Sequence, residues 1–246
     1  MPVLSLEDVT KTYGRGPVLE NVSIGLEAGQ VTAIVGRSGC GKSTLLKLFN
    51  GLVVPDVGRV SAFGVELDYA DLTSVRRRMG YAVQGTGLFP HMSAEENVVL
   101  SAEIAGWKEQ AVTQRLSELL ELTRLSVELL AKYPHELSGG QQQRVGLCRA
   151  MMLRPEVLLL DEPFAAIDPI TRYDIHHQLL EILAAEPATV LLVTHDMREA
   201  MQLADRIVLL EGGRVFLDES RDSLARSRPG AEPEALLQSL MEEALA

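Results

Sequence analysis

The sequence predicts an α/β fold, a core of buried strands interrupted once by an all-helical insert. Three observations predict it. A glycine-rich turn, Gly36 to Thr44, lies between an apolar strand and a helix. From Ser93 to about Leu153 the apolar pattern keeps a helical period. Strand patterns then return at Val157–Leu160, Thr189–Val193, Arg206–Leu210 and Arg214–Leu217.

Taken in order, Leu4-Ser5-Leu6-Glu7-Asp8-Val9 alternates as a half-buried strand does and ends at Tyr13-Gly14. Val18 to Glu27 alternates again, and Glu27-Ala28-Gly29-Gln30 turns the chain into the strand Gln30–Val35. Leu45-Leu46-Lys47-Leu48-Phe49 opens a helix expected to reach Gly51. Pro55-Asp56 precedes a short strand, Gly58–Phe63, and a helix over Asp71–Arg78 leads into the strand Met79–Gln84. Ser93-Ala94-Glu95-Glu96 is a capping box at the head of the helical stretch, which Pro134 and Gly139-Gly140 break. A helix over Ile170–Glu186 separates the first two returning strands. The polar tail from Ser220 crosses Pro229-Gly230 and ends in a helix from Glu232. No internal repeat or low-complexity segment occurs.

At 246 residues the chain can bury one large core or a core with a subdomain. Its 23 Lys and Arg against 34 Asp and Glu leave a formal charge of −11, which gives no general attraction for a nucleic-acid backbone or anionic lipid. Five Phe and one Trp leave few aromatics for base stacking, so no nucleic-acid partner is expected. Cys40 and Cys148 are too few and too far apart for a disulfide framework or a metal cluster, which suits a reducing cytosol. Met1-Pro2-Val3-Leu4 does not read as a signal peptide, and no apolar run approaches the ~18 residues of a membrane span.

The stretch Gly36-Arg37-Ser38-Gly39-Cys40-Gly41-Lys42-Ser43-Thr44 fits G-x-x-x-x-G-K-[ST] in its proper strand-then-helix setting. Three glycines let the backbone curl so that successive N–H groups face one concavity, where the helix start adds partial positive charge. That makes a nucleotide-phosphate site, with Lys42 reaching the β- and γ-phosphates and the Ser43 hydroxyl ligating Mg²⁺. The motif occurs once, so the chain holds one nucleotide cassette. Cys40 in this loop is expected to be open to alkylation without being catalytic.

Val157–Leu160 runs into Asp161-Glu162, placing two carboxylates at a strand's carboxyl end, where ligands of open α/β sheets bind. Asp161 suits Mg²⁺ held through water; Glu162, pointing elsewhere, suits the general base for an attacking water. A solvated strand end is the plain alternative. Leu137-Ser138-Gly139-Gly140-Gln141 stands before the helical stretch Gln142–Met152. Its hydroxyl and glycine N–H groups form a second anion site or, read alone, an ordinary Ser-capped helix.

These motifs in this order, with a histidine after a later strand, resemble the nucleotide-binding subunit of ABC transporters over roughly Leu4 to Leu217. The resemblance implies a P-loop NTPase (RecA-like) core with an antiparallel β subdomain and an inserted all-helical signature subdomain. It implies one nucleotide-binding domain over 1–246: an α/β catalytic core at 1–84 and 154–218, a helical subdomain at 85–153, and a short helical tail at 219–246. It also implies a head-to-tail dimer with a second nucleotide-binding subunit, in which ATP on one phosphate loop meets Ser138, Gly139, Gly140 and Gln141 of the partner. Tyr13 resembles the aromatic that stacks on adenine. Gln84 resembles the glutamine that touches Mg²⁺ and the attacking water. Asp168 matches the aspartate that communicates across the dimer, although Ala165 removes a hydroxyl often found before it. His195 matches the histidine that grips the γ-phosphate. Tyr13, Gln84 and His195, read alone, are ordinary packing, hinge and structural residues. His91, His135, His176 and His177 receive no chemical role; His176-His177 is expected on a solvated helix face, and Arg76-Arg77-Arg78 on a surface helix.

The resemblance implies an ATPase peripheral on the cytoplasmic face of the cell membrane, coupled to transmembrane permease subunits. An apolar groove between the Gln84 segment and the helical insert is expected to dock a short permease helix. The Gly85–Ser93 segment, and Pro169-Ile170-Thr171-Arg172 after Asp161–Asp168, are most similar to importers of glycine betaine, choline and related osmoprotectants, which work with a solute-binding protein. Importers of amino acids and phospholipid-trafficking systems are similar enough to stay open. Many of the osmoprotectant ATPases carry a C-terminal regulatory module. Here about thirty residues follow Leu217, too few for a second globular domain. A soluble ABC protein of translation or DNA repair fits less well, because those join two cassettes and tend to show basic surfaces. A phosphate-loop kinase has no use for Leu137–Gln141.

Overall fold

The computed structural model describes residues 2–14, 16–85, 87–165, 167–230 and 232–245. Met1, Thr86 and Ala166, quoted above, lie outside them. In chain order the elements are β1 Leu4–Tyr13, β2 Gly16–Leu26, β3 Val31–Val35, α1 Lys42–Phe49, β4 Val57–Ala62, β5 Val65–Glu66, α2 Thr73–Arg77 and β6 Met79–Ala82. Then follow α3 Ala94–Ile104, α4 Glu109–Thr123, α5 Gly139–Met151, β7 Val157–Asp161, α6 Pro169–Ala185, β8 Thr189–Thr194, α7 Met197–Leu203, β9 Arg206–Glu211, β10 Arg214–Ser220, α8 Arg221–Ser227 and α9 Pro233–Leu245. The chain divides into two compact units, Met1–Val75 with Thr189–Ala246, and Arg76–Ala188.

In the first unit β2-β1-β4-β5 form an antiparallel sheet. Leu4, Leu6 and Val9 on β1 and Leu19, Val22, Ile24 and Leu26 on β2 are buried while most of their neighbours are not, so this sheet packs mainly through one face. Register shifts interrupt the β1–β2 ladder, where Asp8 and Asn21 take positive φ. In contrast, all five residues of β3 are buried, and β3 pairs in parallel with β8 and β9. A strand with no polar face needs cover on both sides. α1 and α7 both pack on β strands of this unit. α9 packs on α7, burying Leu236, Leu240 and Met241.

In the second unit β6 and β7 pair in parallel, Met79 opposite Val157 and Ala82 opposite Leu160. α5 packs on β6, α3, α4 and α6. Arg115 of α4 is 2% exposed, and its guanidinium donates to the carbonyls of Met151 and Met152 and to Glu118 and Glu186. Arg154 donates to the same two carboxylates. A buried cation is tolerable only with such partners.

Several expectations are corrected. The helical stretch breaks before Pro134 as well as at it: α4 ends at Arg124, in the left-handed region, and two 3₁₀ turns, Val127–Leu129 and Pro134–Glu136, precede α5. The helix expected over Asp71–Arg78 contracts to Thr73–Arg77, and β10 extends to Ser220, directly capping α8. α7 and α8 were not legible, being seven residues each, too short for periodicity to show. His176 does not face solvent. It is 3% exposed and packs edge-on to Phe164 with ring centroids 4.4 Å apart, while His177 is exposed beside Tyr173. The Ser93 capping box is present, Ser93 Oγ accepting from Glu96 N–H and Glu96 from Ser93 N–H.

Candidate functional site

The phosphate loop leaves β3 at Gly36. A Cβ there would lie 2.2 Å from the Leu210 carbonyl oxygen and 2.7 Å from Cys40 Sγ, so only glycine lets the loop pass β9. Gly39 and Gly41 have φ of 85° and 109°, left-handed values that let the chain curl before the helix. Gly41 is the N-cap of α1 and brings no side chain to cap it, and the first turn holds no acid. The helix start therefore keeps its partial positive charge. Arg37, Ser38 and Gly39 are exposed, Cys40 and Gly41 buried, Ser43 and Thr44 half-buried. Lys42 is 5% exposed, and its ammonium donates to the carbonyls of Gly36 at 2.7 Å and Arg37 at 3.0 Å. The loop thus wraps a buried cation with neutral carbonyls, which satisfy its protons without neutralising it.

Cys40 corrects one expectation. It is 8% exposed, and burial pushes its thiol up despite the Lys42 charge beside it, so it is a poor target for alkylation.

Also in the first unit, His195 follows β8 and is exposed in the turn to α7. Hydrogen bonds on both sides hold that turn. Asp196 N–H donates to Thr194 Oγ1 at 3.0 Å, the Thr194 hydroxyl donates to Glu199 at 2.5 Å, and Asp196 caps Arg198 N–H at 2.8 Å. Tyr13 ends β1 with its ring half exposed and the Lys11 ammonium 5.5 Å from the ring centroid.

The second unit holds the carboxylates. Asp161 ends β7 and is 4% exposed. Burial, helped by the Asp161 charge, pushes the Tyr81 hydroxyl up to about 12. Glu162 has φ of 46°, rare for a residue with a Cβ, which turns its side chain away from the strand's alternation. Gln84 Nε2 donates to Glu162 Oε2 at 3.2 Å, so the structure brings together two expected site residues 78 positions apart.

Ser138 is exposed at the start of α5 and closes a capping box, its Oγ accepting from Gln141 N–H at 3.3 Å and Gln141 Oε1 from Ser138 N–H at 2.9 Å. Asp168 caps α6 through Thr171 N–H at 3.0 Å. A Cβ on Gly140 would meet Thr171 Cγ2 at 2.5 Å, so the Leu137–Gln141 segment lies against the first turn of α6. Asp168 and Gly139 are exposed and Gly140 and Gln141 half-buried.

Two residues of this unit were missed. Asn97 is fully buried on α3; its side chain accepts from Phe89 N–H and donates to the carbonyls of Phe89, Met92 and Ser93. It thereby shapes the segment after Gln84. An amide beside Val98 and Val99 on an amphipathic helix was the available signal. Arg149 donates to Gly87 O at 2.8 Å and lies 5.9 Å from the Phe89 ring centroid. Nothing in its local sequence separates it from a surface arginine.

Among the described residues no three His, Cys, Asp or Glu side chains form a metal cluster. The hydroxyl of Ser43, the carboxylate of Asp161 and the amide oxygen of Gln84 are hard oxygen donors of the kind Mg²⁺ takes when phosphate and water complete its shell.

The fold and the glycine-cradled helix start are those of a P-loop NTPase cassette. Residues 19–165, well over half of the chain, match the family model described as ABC transporter, and the chain belongs to that family. It is 41% identical to the choline transport ATP-binding protein OpuBA of Bacillus subtilis over 92% of this chain and 59% of that one. It is 42% identical to the Fe(3+) ions import ATP-binding protein FbpC of Pseudomonas fluorescens over 87% of this chain and 60% of that one. The chain thus spans about 60% of the length of these curated relatives. The dimeric post-hydrolysis structure of the ATP-binding cassette MJ0796, bound to ADP and Pi, superposes with a TM-score of 0.81 at 34% identity, covering 89% of this chain and 98% of that chain.

Proposed function

We propose that this chain binds and hydrolyses ATP as the nucleotide-binding subunit of an ABC importer. The observation that carries this reading is the uncapped start of α1, cradled by Gly36, Gly39 and Gly41 over the buried Lys42 ammonium. Such a start favours an anion, and phosphate oxygens are acceptors that can outcompete the neutral carbonyls now holding Lys42. Tyr13 takes the adenine ring and His195 the terminal phosphate. Glu162, with Gln84 donating to it, accepts the proton of the attacking water, and its turned backbone serves that aim. Ser43, Asp161 and Gln84 would hold Mg²⁺, which would supply positive charge against the phosphates.

Ser138, Gly139, Gly140 and Gln141 act on the ATP of a second nucleotide-binding subunit, with Asp168 beside them at the dimer contact. The exposure of Ser138, Gly139 and Asp168 and the solved dimeric neighbour support that reading. The complete system places this subunit on the cytoplasmic face of the membrane against permease subunits that receive cargo from a solute-binding protein. No helix among the described residues is long and apolar enough to cross a membrane.

A quaternary-amine osmoprotectant is the proposed cargo, supported by the choline relative. An Fe(3+) relative of similar identity shows why the cassette constrains cargo weakly: in this reading it touches nucleotide and permease, never solute. The test is steady-state hydrolysis and gel filtration with ATP. Glu162→Gln should bind ATP, lower kcat by about 10²-fold or more and accumulate as a dimer. Full turnover by that variant removes the assigned base, and absence of any ATP binding by the native chain removes the reading.

A further inference from the structure

The terminal helix α9 packs on α7, the helix that begins directly after His195. α7 has seven residues, too few to hold its own shape, so its position is set by what it packs against: β3, β8 and α9. α9 docks with Leu236, Leu240 and Met241 at 3%, 0% and 6% exposure. Arg228, in the chain leading to α9, is tied to it by donating to Glu243 at 2.8 Å and 2.9 Å.

A forked contact joins the two helices. Arg198 of α7 donates from Nε to Asp196 Oδ1 at 3.4 Å and pairs through its second branch with Glu234 Oε1 of α9 at 2.9 Å. Asp196 is the N-cap of α7 and the immediate neighbour of His195. The inner flank of the same turn is fixed by the buried Thr194–Glu199 hydrogen bond. His195 therefore sits between an inner bond in the core and an outer one that reaches α9.

We propose that α9 is a positioning element for His195, acting through α7 and the Glu234–Arg198–Asp196 chain. The proposal rests on the reading that His195 contacts the terminal phosphate. A docked α9 holds the strand-to-helix turn in one conformation. A displaced α9 lets α7 fray and spreads His195 over several. Hydrolysis then slows while nucleotide binding, which rests on the α1 loop, does not. The ion pair is exposed and weak by itself, so the apolar docking carries most of the coupling and the Arg198 fork sets its register.

The experiment uses the full chain, with Leu240→Ala to loosen the docking and Glu234→Ala to cut the fork. Amide exchange at Asp196 and Arg198 is measured alongside kcat and KM for ATP. Leu240→Ala should accelerate exchange at these two amides by about tenfold or more, with β3 amides unchanged, as local opening predicts. Its kcat should fall about three- to tenfold and its KM stay within about twofold, the split expected for a lost transition-state contact. Glu234→Ala should show the same pattern at about two- to threefold, in keeping with an exposed pair, and carries the test if Leu240→Ala does not fold. Unchanged exchange in both variants, or faster exchange with unaltered kcat, overturns the proposal. Should His195→Ala leave kcat untouched, the phosphate role of His195 falls instead, and the exchange data alone decide whether α9 holds the turn.

Discussion

The chain builds two helix starts that both read as anion sites, and the structure finishes them differently. α1 begins at a glycine with no side-chain cap, and the Lys42 ammonium beside it is tied to its own loop. α5 begins at Ser138, whose capping box satisfies two backbone donors at once. An uncapped start leaves backbone N–H groups that water or a ligand must satisfy, whereas a capped one satisfies them within the chain. On the proposed reading the first is filled by the chain's own nucleotide and the second is offered to a second subunit.

The largest separation is expected in nucleotide affinity. Lys42→Ala should weaken ATP binding about ten- to hundredfold, the worth of a charge-assisted bond. Ser138→Ala should leave the monomer's affinity within about twofold and act only on hydrolysis by the dimer. Equal losses in monomer titrations would break the comparison. Stability should separate the two glycines less widely. Gly36→Ala drives a Cβ onto a backbone carbonyl, which cannot move aside, whereas Gly140→Ala meets a threonine methyl, which can. The first should cost about 2–3 kcal/mol and the second about 1 kcal/mol or less in denaturant unfolding. Removing the Ser138 cap should itself cost about 1 kcal/mol by the same measurement, and no effect would show the box to be idle.

The smallest effect lies in the chemistry of Cys40. A thiol near a helix start beside a lysine ordinarily ionises early; burial outweighs both here and pushes Cys40 up. Maleimide labelling of the native chain should therefore be slow at pH 8 and still be rising with pH beyond the ordinary thiol range. A rate that levels off below that range would mean that the loop is wetter than its geometry indicates.

Most of the architecture was legible from local pattern. β3 is apolar but for Thr32 and β7 is apolar up to its terminal Asp161, and the turn after β3 can be read from its three glycines alone. Asp161 and Glu162 were legible as carboxylates at a strand end, but the positive φ of Glu162 and its bond to Gln84 were not, because neither is a property of neighbouring residues. His176 went wrong for a related reason: paired histidines on a helix suggest a wet face until Phe164, in the loop between β7 and α6, folds back to cover one of them.

The sequence by itself determined most of the strand and helix pattern, the phosphate-loop motif and the family resemblance, since these rest on residue type at short spacing. Tertiary structure alone decided that Gly36 must be bare against Leu210, that Asn97 shapes the segment after Gln84, and that α9 lies on α7 behind His195. The physical reason is range. Backbone conformation and hydrophobic period are set within a few residues, whereas close approach and the partner of a buried polar group depend on which distant segment packing brings near.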